Sequence, residues 1–399
     1  MSYFITPSIQ LINNLATQIV PTYTDDLENK EDIAISKTLC RYLNITKTEI
    51  DNCPMEWDKY KKYTNPYEYI HTVIPTTKQP VCTLKPLSRS FFKMIEITQM
   101  LELLEDLPDK GFKSFHLAEG PGGFIEALVY MRSNPADLYY GMTLIDEVDG
   151  NVPGWRKSKY FLEKNANVII EAGKDGRGDL FQAANLGHCF QLYNNSMDLI
   201  TADGGFDFSL DFNKQEQVSI RLIFCQIAFA IAMQKERGKF VIKFFDTFTR
   251  ISLDLLYLLS NVYDKVYFVK PNTSRHANSE KYIVCKGFRK LAYKEDLIKR
   301  FFKIFQTLAA TPNITLTSLF DFELPYYFTS RIEEYNSMFG HQQMENIHNT
   351  LSLIANNKFD RLEALRNANI QKCIQWCQKY GLPYNKTNVS SNIFLDNKN

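Results

Sequence analysis

Residues 114–124 read Ser114-Phe115-His116-Leu117-Ala118-Glu119-Gly120-Pro121-Gly122-Gly123-Phe124. A short apolar run, 114–117, stops at a Gly/Pro cluster and gives way to helical apolar spacing over 123–132. Glycines in such a strand-to-helix turn let a ligand approach the backbone at the carboxyl edge of a doubly wound sheet. A turn that merely starts a helix would look the same. G-x-G-x-x-G is absent, which weakens a dinucleotide reading, and the absence of G-x-x-x-x-G-K-[ST] argues against a P-loop NTPase.

The same alternation continues on both sides of this turn. The runs 138–144 (LYYGMTL), 168–172 (VIIEA), 197–202 (MDLITA) and 239–245 (KFVIKFF) are strand-like, and 216–235 and 252–263 are helical. Two more strands, 266–269 (VYFV) and 281–285 (KYIVC), are joined by a short loop. A parallel crossover needs a dozen residues or more, so this pair should be an antiparallel hairpin. Upstream, 88–106 has helical spacing that ends at Leu107-Pro108-Asp109-Lys110-Gly111. The expected class is α/β, a three-layer sandwich with a mostly parallel sheet and a terminal hairpin. Four parts follow: a helical or irregular extension over 1–84, the α/β domain over 85–290, a mainly helical region over 291–383, and a disordered polar tail over 384–399.

Composition bounds the class. Of 399 residues, 45% are hydrophobic and 23% charged, as in a soluble globular protein. The net charge is only +1, so any nucleic-acid surface must be a local patch set against acidic faces elsewhere. Eight scattered cysteines, with only Cys373 and Cys377 close together, read as reduced and mostly buried thiols. The start lacks a basic n-region, and no stretch approaches the roughly 18 apolar residues of a membrane span. An intracellular, soluble protein is expected, in cytoplasm or nucleus or at viral replication sites.

Three further features carry chemistry. Thr201-Ala202-Asp203-Gly204-Gly205 places a carboxylate at the end of a buried strand. Lys243 lies inside the apolar strand 240–245, where burying an ammonium is costly unless it is paired. The polar loop 273–282 (TSRHANSEKY) sets Glu280 at the threshold of the last strand. A capped turn, a snorkelling lysine and a hairpin loop are the bland alternatives.

Taken in this order, the features resemble the FtsJ-like (RrmJ-fold) RNA 2′-O-methyltransferases, over about residues 85–290. The resemblance implies a Rossmann-like methyltransferase fold and a catalytic tetrad of Lys93, Asp203, Lys243 and Glu280. It implies S-adenosyl-L-methionine as cofactor, with no metal, held by Glu119, Gly120, Pro121, Gly122, Gly123 and Phe124, by Asp203, and by Asp179 in Gly178-Asp179-Leu180 against the adenine. Asp146 is a candidate for the cofactor ribose. The loop KPNTSRHANSEKYIVCKGF looks most like the branch acting on eukaryotic and viral mRNA caps. That branch implies capped mRNA as substrate and other capping or transcription proteins as partners. An rRNA or tRNA ribose methyltransferase, or a silent cap- or RNA-binding subunit, remains open.

The cofactor's sulfonium methyl is already activated, so the weakly acidic 2′-hydroxyl is the hard part. A lysine at its ordinary pKa of about 10.4 is charged and no base. Lys243 is expected to steer or deprotonate the hydroxyl, with Asp203 and Glu280 holding it and Lys93 stabilising negative charge. RNA or cap contacts are expected from Lys85, Arg89, Arg275 and Lys286, from Phe206 and Phe208 by stacking, and from Asp207 and Asp211.

Overall fold

A computed structural model of the chain describes residues 3–25, 33–146, 152, 154–205, 212–311, 313–356 and 358–385. In chain order the elements are β1 (Tyr3–Ile5), β2 (Ile19–Thr24), α1 (Lys37–Thr48), α2 (Pro54–Thr64), α3 (Ser90–Met100), β3 (Lys113–Leu117), α4 (Gly123–Arg132) and β4 (Leu138–Met142). Then come α5 (Lys159–Lys164), β5 (Val168–Ile170), α6 (Ala183–Tyr193), β6 (Met197–Ala202), α7 (Gln215–Met233), β7 (Gln234–Phe244) and α8 (Arg250–Val262). The chain closes with β8 (Tyr263–Val269), β9 (Lys281–Phe288), α9 (Lys294–Ala310), β10 (Thr315–Phe320), α10 (Tyr326–Ala355) and α11 (Phe359–Lys379).

Eight strands form one sheet in the order β1-β8-β9-β7-β6-β3-β4-β5. The run β7-β6-β3-β4-β5 is parallel. The expected hairpin is present: β9 is antiparallel to both β7 and β8, and sits between them. Strand order reverses at β3, so a crevice opens where β3 and β6 end. Because β9 runs the other way, its beginning, not its end, lies at that same edge.

Side chains alternate across the sheet. Phe240, Ile242, Ile283 and Cys285 face the core built by α6, α7, α8 and α9. Val241, Tyr282 and Val284 face the core built by α3, α4 and α11. Lys243 therefore shares a face with Tyr282, its register partner, and with α3. Helix α7 corrects the membrane expectation in part. It is 19 residues long with a mean hydropathy of 1.4, enough by composition to span a bilayer, but 83% of it is buried in the fold. A helix apolar on every side is a core helix here.

The flanks differ from the sequence reading. Residues 1–84 supply β1, which pairs antiparallel with β8, and β2, which pairs antiparallel with β10 in a second, two-stranded sheet. β1 has only three residues, and the pairing partners that decide β1 and β2 lie some 260 to 300 residues away. Upstream of β3, regular helix stops at Met100, six residues before the expected end. Strand β7 begins at Gln234 rather than 239. The tail from 386 and the loop 206–211, with Phe206, Asp207, Phe208 and Asp211, lie outside the described residues.

Candidate active site

All four expected tetrad residues meet at the carboxyl edge of the sheet. Lys93 comes from α3, Asp203 follows β6, Lys243 ends β7, and Glu280 precedes β9. They form two ion pairs. Lys93 Nζ lies 2.7 Å from Glu280 Oε1, with side chains 5% and 10% exposed. Lys243 Nζ lies 3.4 Å from Asp203 Oδ1 and donates to the Asp203 carbonyl at 2.8 Å. That second pair is slightly more open, at 12% and 14%.

Tyr282, which sequence reasoning missed, bridges the pairs. Its hydroxyl donates to Asp203 Oδ1 at 2.7 Å and accepts from Lys93 Nζ at 3.3 Å. The signal was available: Glu280 and Tyr282 are two residues apart at a strand start, and so share a face. One expected contact differs. The Glu280 carboxylate pairs with Lys93, and its hold on Lys243 runs through Tyr282 and Asp203.

Electrostatics fit this picture. Burial alone would raise the Glu280 carboxyl, but Lys93 and then Lys243 more than offset it and hold it well below the ordinary range. Burial lowers the Lys93 ammonium, with Glu280 and Asp203 opposing. Burial, then Asp203 and Glu280, pushes the Tyr282 phenol well up, so it stays a protonated donor. Gly205 has a specific reason to lack a side chain: a Cβ there would stand 2.9 Å from Lys243 Nζ.

The Gly/Pro turn lies beside the pairs. Glu119 Oε1 accepts from the Phe124 amide at 2.6 Å, fastening the turn to the start of α4. Its Oε2 is buried without a partner, and burial, reinforced by Asp203, pushes the carboxyl well above its usual value. A Cβ on Gly120 would meet the Gly154 carbonyl oxygen at 2.5 Å. An orphaned buried acceptor and a bare backbone cradle fit S-adenosylmethionine, which offers an ammonium and hydroxyl donors to such a turn.

Asp179 follows β5 and is half-buried. Its carboxylate accepts from the Phe181 amide and from Gln182 Nε2, both at 2.9 Å, so it shapes the turn into α6. Asp146 pairs with Arg177 at 3.1 Å.

The expected RNA contacts divide. Arg89 and Arg275 line a cleft of about 540 Å³ with Lys47, Asp51, Asp58 and Lys61. Arg275 is gripped by buried Glu68 at 2.7 and 3.0 Å, which anchors its loop. Lys286 is displaced from the site: it pairs in register with Lys239, midway along β7, and donates to the Leu101 carbonyl. Lys85 lies on the segment leading to α3. All eight cysteines are free thiols, and among the described residues no three His, Cys, Asp or Glu side chains cluster as metal ligands.

A mostly parallel sheet with a reversed last strand thus sets a glycine turn and paired lysines and carboxylates at one edge. The sequence profile of the FtsJ-like methyltransferase family matches residues 86–288, just over half of the chain, and the chain belongs to that family. Among its relatives, the cap-specific mRNA (nucleoside-2′-O-)-methyltransferase 1 of Trypanosoma cruzi (strain CL Brener) is 39% identical over 175 residues, 42% of this chain and 46% of its own. The cap-specific mRNA (nucleoside-2′-O-)-methyltransferase 2 of Danio rerio is 29% identical over 354 residues, 81% of this chain and 44% of its own. The enzyme named 1A from Caenorhabditis briggsae is 35% identical over 189 residues, 45% of this chain and 21% of its own. The chain spans less than half the length of these relatives.

Proposed function

We propose that this chain transfers a methyl group from S-adenosylmethionine to a ribose 2′-hydroxyl of RNA, at the first transcribed nucleotide of a capped mRNA. The observation that carries this reading is the linked pair of ion pairs, Lys243–Asp203 and Lys93–Glu280, beside the glycine cradle. The cofactor supplies an electrophilic methyl when bound. Glu119 through Phe124, with Asp203 and Asp179, are the residues to hold it.

The protein's remaining task is to orient a weakly acidic hydroxyl and manage its proton. Lys243, at the more open pair, faces that hydroxyl. Asp203 fixes the Lys243 ammonium, and the Tyr282 hydroxyl fixes Asp203. Lys93, deeper and tied to Glu280, supplies positive charge behind the pair. Arg89, in a cleft whose other cations Lys47, Lys61 and Arg275 are paired with Asp246, Asp58 and Glu68, supports a contact to the RNA backbone. The names of the relatives favour a capped 5′ end, as does the SRHANSEKYIVCKGF segment.

The test is labelled-methyl transfer to short RNAs bearing an N7-methylated cap, an unmethylated cap or a bare triphosphate, followed by mapping of the modified nucleotide. Stacking on a cationic base is worth about 0.5–2 kcal/mol. A preference of about two- to thirtyfold for the methylated cap is expected, with the mark on the first nucleotide. Equal rates on all three, or a mark far inside the chain, would overturn the cap assignment in favour of rRNA or tRNA.

A further inference from the structure

Lys93 and Glu96 stand one turn apart on α3 and hold the two ends of one loop. Lys93 takes Glu280 at 2.7 Å. Glu96, fully buried, accepts from the Asn272 amide at 2.9 Å through Oε1, and from the Thr273 amide at 3.1 Å and hydroxyl at 3.0 Å through Oε2. The next residue, Ser274, donates its hydroxyl to Glu280 Oε1 at 2.6 Å. The connections close a ring: α3, Glu96, Thr273, Ser274, Glu280, Lys93 and back to α3.

The segment between β8 and β9 contains no helix or strand, so side chains must set its position. Lys270 holds the far end, donating to the Asn278 carbonyl at 2.6 Å and the Glu280 carbonyl at 2.7 Å. Burying a carboxylate is costly, and burial pushes Glu96 up in pKa while three loop donors oppose it. A buried acid that takes three hydrogen bonds from one loop, one turn from the tetrad's deeper lysine, has more than packing to do.

We propose that Glu96 is the positioning residue of the Lys93–Glu280 pair. It fixes the height of the 272–274 segment on α3, and so the Ser274 hydroxyl and the Glu280 carboxylate that Lys93 must meet. Through Lys93 and Tyr282 the same setting reaches Asp203. Glu96 touches no reacting atom. The kinetic part of the proposal rests on the methyl-transfer reading above; the geometric part does not.

The test compares wild type with Glu96→Ala, Glu96→Gln and Thr273→Val in the full chain. It reads kcat and KM for capped RNA, cofactor affinity, thermal midpoint, and hydrogen exchange at the 272–281 amides. A misplaced pair should lower kcat by between about tenfold and a hundredfold. Cofactor affinity should stay within about twofold, a factor far below one hydrogen bond's worth. Exchange should quicken at 272–281 and not in β3 or β6. Glu96→Gln, which keeps one acceptor oxygen, should recover part of the rate. Thr273→Val, which removes only the hydroxyl donor, should show a smaller loss of the same kind and serves if Glu96→Ala fails to fold. Wild-type kcat in Glu96→Gln and Thr273→Val, or exchange quickened evenly across the sheet, would overturn the proposal. If wild type transfers no methyl to any RNA, the functional reading fails, and the exchange pattern still decides the positioning role.

Discussion

The Tyr282 hydroxyl donates to Asp203 Oδ1 at 2.7 Å while accepting from Lys93 at 3.3 Å, and so makes one unit of two lysine–carboxylate pairs. Tyr282 is wholly buried between α3 and the sheet. Its phenol lies in a place that phenylalanine could fill, and only the hydrogen bonds separate the two side chains.

Tyr282→Phe should therefore keep the fold and lose turnover. A hydrogen bond to a charged group is worth about 1.5–3 kcal/mol, which sets a fall of roughly ten- to a hundredfold in kcat. Single-turnover methyl transfer at saturating RNA measures it. A rate equal to wild type would show that the pairs act independently.

Lys243 makes a sharper case. Lys243→Ala and Asp203→Ala should each lower turnover by at least about 10²-fold, the low end for loss of a general base. Cofactor affinity should change little in Lys243→Ala. Gly205→Ala tests position without removing the group. The new Cβ would stand 2.9 Å from Nζ, the far end of a flexible side chain, so the lysine moves and the fold survives. An intact thermal midpoint with reduced kcat is expected. Undiminished transfer by Lys243→Ala would end the tetrad mechanism.

For the cofactor, Asp179→Ala should weaken S-adenosylmethionine binding by about 1.5–3 kcal/mol by calorimetry, with the fold intact. The control is Gln182→Ala, which removes the neighbour donating to Oδ2 at 2.9 Å and leaves the carboxylate in place. It should bind as wild type does. Unchanged affinity in Asp179→Ala would remove this residue from the cofactor site.

The Glu68–Arg275 pair predicts a pH effect on stability. Burial would raise the Glu68 carboxyl, but Arg275 more than offsets it, aided by His71 and Asn65, and holds it at about 2. The folded state then binds fewer protons than the unfolded one. The stabilisation is fully present above the ordinary value of 4.5 and is lost as pH falls towards about 2. Its size is on the order of 3 kcal/mol. Arg275→Met should destabilise the fold by about 3–5 kcal/mol at pH 7, because it strands a buried charge. The gap to wild type should narrow as pH falls through the carboxylate range. Urea melts at pH 7 and pH 3.5 give both gaps, and an unchanged gap would contradict the assignment.

The sequence by itself determined the alternation of strands and helices from β3 to β9 and the antiparallel end of the sheet, and it singled out Asp203, Lys243 and Glu280 by residue type, with Lys93 added only by the family resemblance. These depend on local period and on residue types too costly to bury without a task, and Lys243 in an apolar strand and the Gly/Pro turn after β3 are both of that kind. Only the tertiary structure decided how the tetrad divides into pairs, because that depends on register: Lys243 lies opposite Tyr282, and α3 crosses the same face. It also decided β1, β2 and β10, whose pairing joins residues some 260 to 300 positions apart along the chain. It moved Lys286 away from the site, since an extended strand rises about 3.3 Å per residue and carries Lys286, six residues past Glu280, roughly 20 Å from that edge. Glu96 was illegible in sequence, and of Tyr282 only its shared face with Glu280 could be read, not its hydrogen bonds. A buried acid and a core tyrosine look ordinary in sequence, and their partners lie 79 to 189 residues away along the chain.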